Sequence, residues 1–230
     1  MPPRVIAIGD VHGCATALRT LIGVLDLKPD DTVVMLGDCV DRGPESRQVI
    51  DQLFRLRDCC QLIPLLGNHE EMMLDYIDGK PQPDDWMEVG GAATMRSYGM
   101  SLSPSEVPQS HIEYIRTWGD YFETDSHFFA HGNYDADRAL AKQHWQTMRW
   151  KSLKLGVPGP HVSGKTAILG HTSQKSGEVL NLGHLICIDT FCWGGGWLTA
   201  LDTISGQRWQ VDRDGTPRKE AATAQPAKPA

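Results

Sequence analysis

Val5-Ile6-Ala7-Ile8-Gly9-Asp10-Val11-His12-Gly13 decides how the chain is read. A short aliphatic run ends in glycine and is followed at once by two residues able to ligate a metal. The same rhythm returns four more times. Thr32-Val33-Val34-Met35-Leu36-Gly37 leads to Asp38, and Leu62-Ile63-Pro64-Leu65-Leu66-Gly67 leads to Asn68 and His69. Phe128-Phe129-Ala130 leads to His131, and Ala167-Ile168-Leu169-Gly170 leads to His171. Continuous β-branched and aliphatic runs of this length read as strands buried on both faces.

Between the first three runs the period changes from strand to helix. Leu18, Leu21, Ile22 and Leu25 share one helical face, as do Val49, Ile50, Leu53 and Phe54 after Pro44. Strand–helix–strand alternation implies parallel strands joined by right-handed crossovers. Ligands of such sheets bind beyond the carboxyl ends of the strands, so all five polar clusters are expected to converge on one edge. Residues 71–126 read as mostly helical, with segments continuing through Met72–Ile77 and over Trp86–Tyr98 and Pro108–Trp118. Leu185–Ile188, Trp197–Leu201 and Arg208–Val211 read as strands of an antiparallel second sheet, with Ser205-Gly206 as a turn.

The chain has 230 residues, 40% hydrophobic and 22% charged, which is a globular composition. No apolar run approaches the ~18 residues a membrane span needs. The immediate strand pattern at the N-terminus leaves no space for a signal peptide, so a cytoplasmic location is expected. Residues 213–230 read as a disordered Ala/Pro/Lys tail, which sets the expected domain at 1–212. That tail carries net +2 of the total −7, leaving the body at −9, which disfavours a nucleic-acid polymer as partner. Six cysteines without a Cys-x-x-Cys pair read as reduced thiols rather than a zinc ribbon or disulfide scaffold.

The ligand inventory is Asp10, His12, Asp38, Asn68, His131 and His171. These are oxygen and nitrogen donors with no thiolate, a set suited to Mn²⁺, Fe or Zn²⁺. Any one cluster alone reads equally well as a helix cap or a core histidine. Five clusters at five strand ends do not. Six donors exceed what one ion needs, whereas two divalent ions sharing a carboxylate would use them all. Such a pair suits in-line phosphoryl displacement.

Three motifs carry a family resemblance. Gly9-Asp10-Val11-His12-Gly13, Gly37-Asp38-Cys39-Val40-Asp41-Arg42-Gly43 and Gly67-Asn68-His69-Glu70 resemble the signature motifs of the phosphoprotein phosphatase family, within the calcineurin-like metallophosphoesterase superfamily. The likeness runs from about residue 4 to 202 and is to the compact bacterial and phage type. It implies an α/β fold, a two-sheet β-sandwich built from β-α-β units with flanking helices. It implies a first metal on Asp10 and His12, a second on Asn68, His131 and His171, and Asp38 as the bridge. It further implies in-line attack by a hydroxide held between the ions, His69 as general acid oriented by Asp41, and Arg42 gripping phosphate. A second phosphate arginine is assigned to Arg149, with Arg138 as fallback. Manganese is the expected metal in vitro.

The sequence departs from that pattern in three places. Leu66 stands where protein phosphatases of the family usually have Arg, His131-Gly132-Asn133 replaces His-Gly-Gly, and Asp189-Thr190-Phe191 replaces Asp-Thr-Gly. The resemblance points first to a serine/threonine or dual-specificity protein phosphatase. The alternative is a hydrolase of small phosphoesters such as dinucleoside tetraphosphates. Glu70 favours the first, because the dinucleoside hydrolases more often carry Asp there, and Leu66 favours the second. A catalytically dead metal-binding scaffold is a further rival, and the intact ligands and His69–Asp41 pair argue against it. Gly159–Thr166 also fits the P-loop pattern of a nucleotide-binding module. A working P-loop follows a strand and opens a helix, whereas here a loop precedes and a strand pattern follows.

Overall fold

A computed structural model describes residues 3–81 and 85–219. Two five-stranded sheets pack face to face. The first runs β10-β9-β1-β2-β3 and the second β4-β5-β6-β8-β7. In chain order the strands are β1 (Val5–Ile8), β2 (Thr32–Met35), β3 (Gln61–Pro64), β4 (Tyr121–Glu123), β5 (His127–Ala130), β6 (Thr166–Leu169), β7 (Leu180–Asn181), β8 (Leu185–Cys187), β9 (Leu198–Asp202) and β10 (Arg208–Val211). Strands β1, β2 and β3 are parallel, and so are β5, β6 and β8. Between the sheets lie Ala7, Val34, Leu36, Leu65, Phe129, Ile168, Ile188 and Leu201.

Helices α1 (Ala15–Leu25) and α2 (Ser46–Leu56) are the expected crossovers. Their buried stripes, Leu18, Leu21 and Leu25 on one and Val49, Ile50, Leu53 and Leu56 on the other, cover the outer face of the first sheet. Each such side chain contributes about 1.5–3 kcal/mol on burial. Beyond β3 come α3 (Asn68–Ile77), a π-turn at Met87–Gly91 running into α4 (Ala92–Tyr98), and α5 (Gln109–Arg116), close to the expected helical spans. Helix α6 (Trp145–Trp150) follows β5.

Two expectations about the late chain are corrected. The last three strands do not form one antiparallel sheet. Strand β8 joins the second sheet parallel to β6, while β9 and β10 return to the first sheet. The reason is the open edge of β1 opposite β2. Strand β9 pairs antiparallel with it (Ile6 with Asp202, Ile8 with Ala200), and all five residues of β9 are buried as a result.

The second correction concerns residues 213–219, read from composition as the start of a tail. The chain instead turns at Asp212, whose Oδ1 accepts from the backbone N–H groups of Asp214 (3.0 Å) and Thr216 (2.7 Å). Asp-Arg-Asp-Gly is a turn composition, so this was legible locally. Pro217 bridges to Val211, Arg218 pairs with Glu178, and the Arg218 guanidinium lies 5.3 Å from the centre of the Trp197 ring. Residues 220–230, the rest of the expected tail, lie outside the described residues. Truncation after Asp212 should therefore lower the melting temperature by about 2–8 °C, from the loss of roughly 1–2 kcal/mol held in the partly buried hydrogen bonds of Arg218 to Gly177 O and Gln210 Oε1. Differential scanning calorimetry checks this, and an unchanged transition would show that the turn contributes nothing.

The P-loop-like stretch 159–166 opens no helix. An irregular segment leads straight into β6, so the structural context for phosphate cradling is absent. All six cysteines are free thiols. No helix among the described residues is long and apolar enough to cross a membrane.

Candidate active site

Because the parallel strands of both sheets end on the same side, their following residues meet. Asp10 and His12 follow β1, Asp38 follows β2, Asn68 and His69 begin α3 after β3, His131 follows β5 and His171 follows β6. Small residues at the strand ends make this approach sterically allowed. A Cβ on Gly67 would sit 2.1 Å from Asp38 Oδ1, and one on Gly170 would sit 2.4 Å from Asp10 Oδ1. Several site residues are strained. His12, Asp38, Asp41, Arg42 and His171 all have positive φ, between 45° and 73°. Left-handed non-glycine residues cost about 1–3 kcal/mol each and persist where the surroundings over-determine them.

Asp38 is the centre of the cluster. Its Oδ2 lies 3.5 Å from His12 Nε2 and 3.9 Å from His69 Nε2, and its Oδ1 lies 3.3 Å from His131 Nε2. Two groups of donors able to hold a cation follow, His12–Asp38–His69 and Asp38–His131–His171, with Asp38 in both. Asn68 Oδ1 is 3.2 Å from His131 Nε2. Both oxygens of Asp10 accept from the His171 backbone N–H (3.2 and 3.1 Å), which places Asp10 against the second group.

Hydrogen bonding fixes how each imidazole is presented. Nδ1 of His12 donates to Val40 O (3.0 Å), Nδ1 of His131 to Leu36 O (2.7 Å), and Nε2 of His171 to Trp150 O (3.0 Å). A ligating histidine characteristically gives its other N–H to a carbonyl or carboxylate, leaving one lone pair free. His69 differs, because its Nδ1 bonds the carboxylate of Asp41 at 2.6 Å.

Charge at the site points the same way. Neither Asp10 nor Asp38 makes an ion pair with Lys or Arg among the described residues. Burial, reinforced by Asp189, pushes Asp10 well above the usual carboxylate range. Burial alone would lower His131, but Asp38 and Asp10 outweigh it and lift the imidazole to about 10. Burial and neighbouring His131 bring His171 down to about 4. Burial would also lower His69, yet Asp38 and Asp41 hold it above its ordinary value. A buried, electronegative pocket with oxygen and nitrogen donors and no thiolate fits divalent cations.

Sequence reasoning missed the surroundings of Asp41. Its carboxylate is fully buried. Oδ2 accepts from the Trp86 indole N–H (2.6 Å) and Oδ1 from the Thr94 hydroxyl (2.6 Å), while its backbone N–H donates to Ser46 Oγ (3.0 Å). The segment carrying Trp86 and Thr94 closes over the Asp41–Arg42 turn, where Gly90 O accepts from the Arg42 N–H (3.3 Å).

Glu70 also has a definite task. Its carboxylate accepts from the backbone N–H groups of Gly67 (2.9 Å), Asp38 (2.8 Å), Cys39 (2.7 Å) and Val40 (3.2 Å). It ties the start of α3 to the loop bearing Asp38. Burial, with Asp38 nearby, pushes its carboxyl up to about 7, and the N–H groups of Gly67 and Val40 act in the opposite sense.

Arg42 sits at the cluster, with Nη1 donating to His12 Nε2 at 2.8 Å. Arg149 is held by two acidic side chains. Its Nε donates to Asp120 Oδ1 (2.6 Å) and its Nη1 to Glu71 Oε2 (3.0 Å). Arg138, the fallback, is half-exposed beside Asp135. Leu66 is buried in the hydrophobic core. Gly194–Gly196 forms the turn before β9, with Trp197 N–H bonded to Thr190 O (2.9 Å).

A two-sheet sandwich that gathers six such donors at its strand ends, one carboxylate shared between two groups, defines a metallophosphoesterase. The family model for calcineurin-like phosphoesterases matches residues 3–214, and the chain belongs to that family. Among curated proteins it is similar to the symmetrical bis(5'-nucleosyl)-tetraphosphatase of Paracidovorax citrulli, at 43% identity over 77 residues, 33% of this chain and 27% of that protein. It is also similar to serine/threonine-protein phosphatase 2 of Salmonella typhimurium, at 39% identity over 85 residues, 36% of this chain and 37% of that one. The chain thus spans only about a quarter to two fifths of the length of these curated relatives. A solved structure provisionally assigned as a diadenosine tetraphosphatase shares the fold, with TM-score 0.70 and 22% identity over 95% of both chains.

Proposed function

We propose that this chain is a dinuclear-metal phosphoester hydrolase acting on small dinucleoside polyphosphates. The observation that carries the reaction class is Asp38, whose two oxygens face separate donor groups. Two divalent ions there would neutralise developing charge on the phosphoryl oxygens and lower the pKa of water at the site. His12, Asp38, Asn68, His131 and His171, with Asp10, are the residues that would hold them, and Mn²⁺ is the ion to try first.

The chain's own groups supply the rest. Arg42, beside the cluster, is the guanidinium assigned to the phosphate, because a planar fork matches two phosphate oxygens. His69, whose Nδ1 is bonded to Asp41, is the group assigned to protonate the leaving oxygen where that oxygen is a strong base. Trp86 and Thr94 hold Asp41 in place.

Two positions support the small-molecule reading, and a third no longer opposes it. Leu66 supplies no guanidinium, and the Arg149 donors are occupied by acidic side chains. Glu70, which by resemblance favoured a protein phosphatase, spends its carboxylate on four backbone N–H groups and says nothing about substrate. The name of the Paracidovorax citrulli relative fits this reading, and that of the Salmonella typhimurium relative fits the rival, a protein phosphatase.

Purified protein with Mn²⁺ should release nucleoside diphosphate from diadenosine tetraphosphate at higher kcat/KM than it releases phosphate from a phosphoserine peptide. The reverse order, measured side by side, would restore the protein phosphatase reading.

Trp86→Phe keeps the ring's bulk but removes the N–H donor to Asp41. Loss of one charge-assisted hydrogen bond should cost about 1.5–3 kcal/mol of stability. Turnover should fall less than in Asp41→Asn. Urea denaturation and steady-state kinetics on both variants check this, and a Trp86→Phe protein as stable as wild type would remove Trp86 from the network.

A further inference from the structure

A cleft opens beside the cluster, between the Arg42–Glu45 turn and Trp193, and holds about 410 Å³. Arg213 and Asp214, from the turn after β10, also line it. Arg42 belongs to both places. Its Nη1 lies 2.8 Å from His12 Nε2, and its guanidinium carbon lies 4.9 Å from the centre of the Trp193 ring. Trp193 is held in turn by Phe191, edge-on with ring centres 5.1 Å apart.

The chemistry of the lining selects the ligand. Two guanidiniums, Arg42 and Arg213, are balanced by two carboxylates, Glu45 and Asp214. A cleft with no net charge does not suit a second phosphate group. It suits an uncharged polar body with hydroxyl and amine donors for the carboxylates and a flat face for the indole. Aromatic and guanidinium planes are general stacking partners for nucleobases. The volume lies in the range of small-molecule pockets, about 300–1,000 Å³.

We infer that this cleft is the nucleoside site: it takes the base and ribose at one end of a dinucleoside polyphosphate, whose phosphate chain passes over Arg42 into the metal-ligand cluster. The inference rests on the small-molecule reading above and adds where the nucleoside sits. It also gives the Arg213–Asp214 turn a role in substrate binding.

The test is calorimetric titration of the Mn²⁺-loaded protein with a non-hydrolysable methylene-bridged diadenosine tetraphosphate and, separately, with inorganic tetraphosphate. Wild type should bind the dinucleoside analogue at least tenfold more tightly. Trp193→Ala should cut that ratio about tenfold, and Trp193→Phe, which keeps a stacking face, should restore most of it. The Phe variant also guards against an Ala variant that fails to fold. A wild-type preference for the dinucleoside that survives unchanged in Trp193→Ala would overturn the assignment of this cleft alone. A wild type that binds both ligands equally and turns over only phosphoserine peptides would overturn the small-molecule reading and the cleft with it.

Discussion

Asp38→Asn should lose both metal ions and nearly all activity while the protein stays folded. The expectation follows from how the carboxylate is shared. Oδ2 faces His12 and Oδ1 faces His131, each within 3.5 Å. An amide keeps one oxygen and replaces the other with an N–H₂ donor, which cannot ligate a cation. It also removes the negative charge that compensates two divalent ions. Loss of an outer partner to a metal site already costs about 10–100-fold in affinity. Loss of a direct, shared ligand should exceed that for both ions together. His12→Ala should mainly weaken one ion, because His12 appears in only one of the two groups. The Asn side chain can still accept from the His69 backbone N–H, which bonds Asp38 Oδ1 at 3.1 Å, so the fold around α3 is retained. Metal analysis after dialysis, with the melting temperature as control, checks this. Two tightly held ions in Asp38→Asn would end the bridging assignment.

The second large effect is chemical and depends on the leaving group. His69 Nδ1 is bound to Asp41, and that carboxylate is itself fixed by Trp86 and Thr94. Asp38 and Asp41 raise the imidazole against the effect of burial, and Asp41 aims it, which would matter when the leaving oxygen is a poor one. General-acid help is typically worth about 10²–10⁴-fold. His69→Asn should therefore lose about that factor on a phosphoserine peptide, whose alkoxide must be protonated. On nitrophenyl phosphate, whose phenolate leaves unaided, the loss should be far smaller. Diadenosine tetraphosphate should resemble nitrophenyl phosphate, because a departing nucleoside diphosphate is a far weaker base than an alkoxide. Asp41→Asn should show the same selectivity more weakly. Equal losses on all three substrates, with both metals still bound, would instead place His69 among the groups that hold the phosphate or the ions.

Much of this site was legible because its information is local. Each ligand follows an apolar run directly, so reading Asp10, Asp38, Asn68, His131 and His171 as strand-end residues required only the strands themselves. The convergence then followed from parallel topology. What the sequence hid is non-local. Trp86 and Thr94 stand 45 and 53 residues from Asp41, and nothing near them marks a hydrogen bond to a buried carboxylate. Arg149 has a plausible neighbourhood by sequence, but its pairing with Asp120 and Glu71 depends on how α6 packs near the start of α3. The choice of β9 to pair with β1 rather than with β8 likewise depends on which edge is left open after the first sheet forms. Glu70 shows the opposite case. Its position at the start of α3 after a strand-end glycine is a capping pattern, and a cap is what its carboxylate forms with the Gly67 N–H.

The proposed function stands on Asp38 being shared by two divalent ions. Electron paramagnetic resonance of wild-type protein titrated with Mn²⁺ tests it most directly, because ions joined through one carboxylate couple magnetically. Wild type should bind two ions per chain, with the isolated Mn²⁺ signal replaced by that of a coupled pair as the second ion binds. Saturation at one ion, or two ions that each keep the isolated signal, would contradict it.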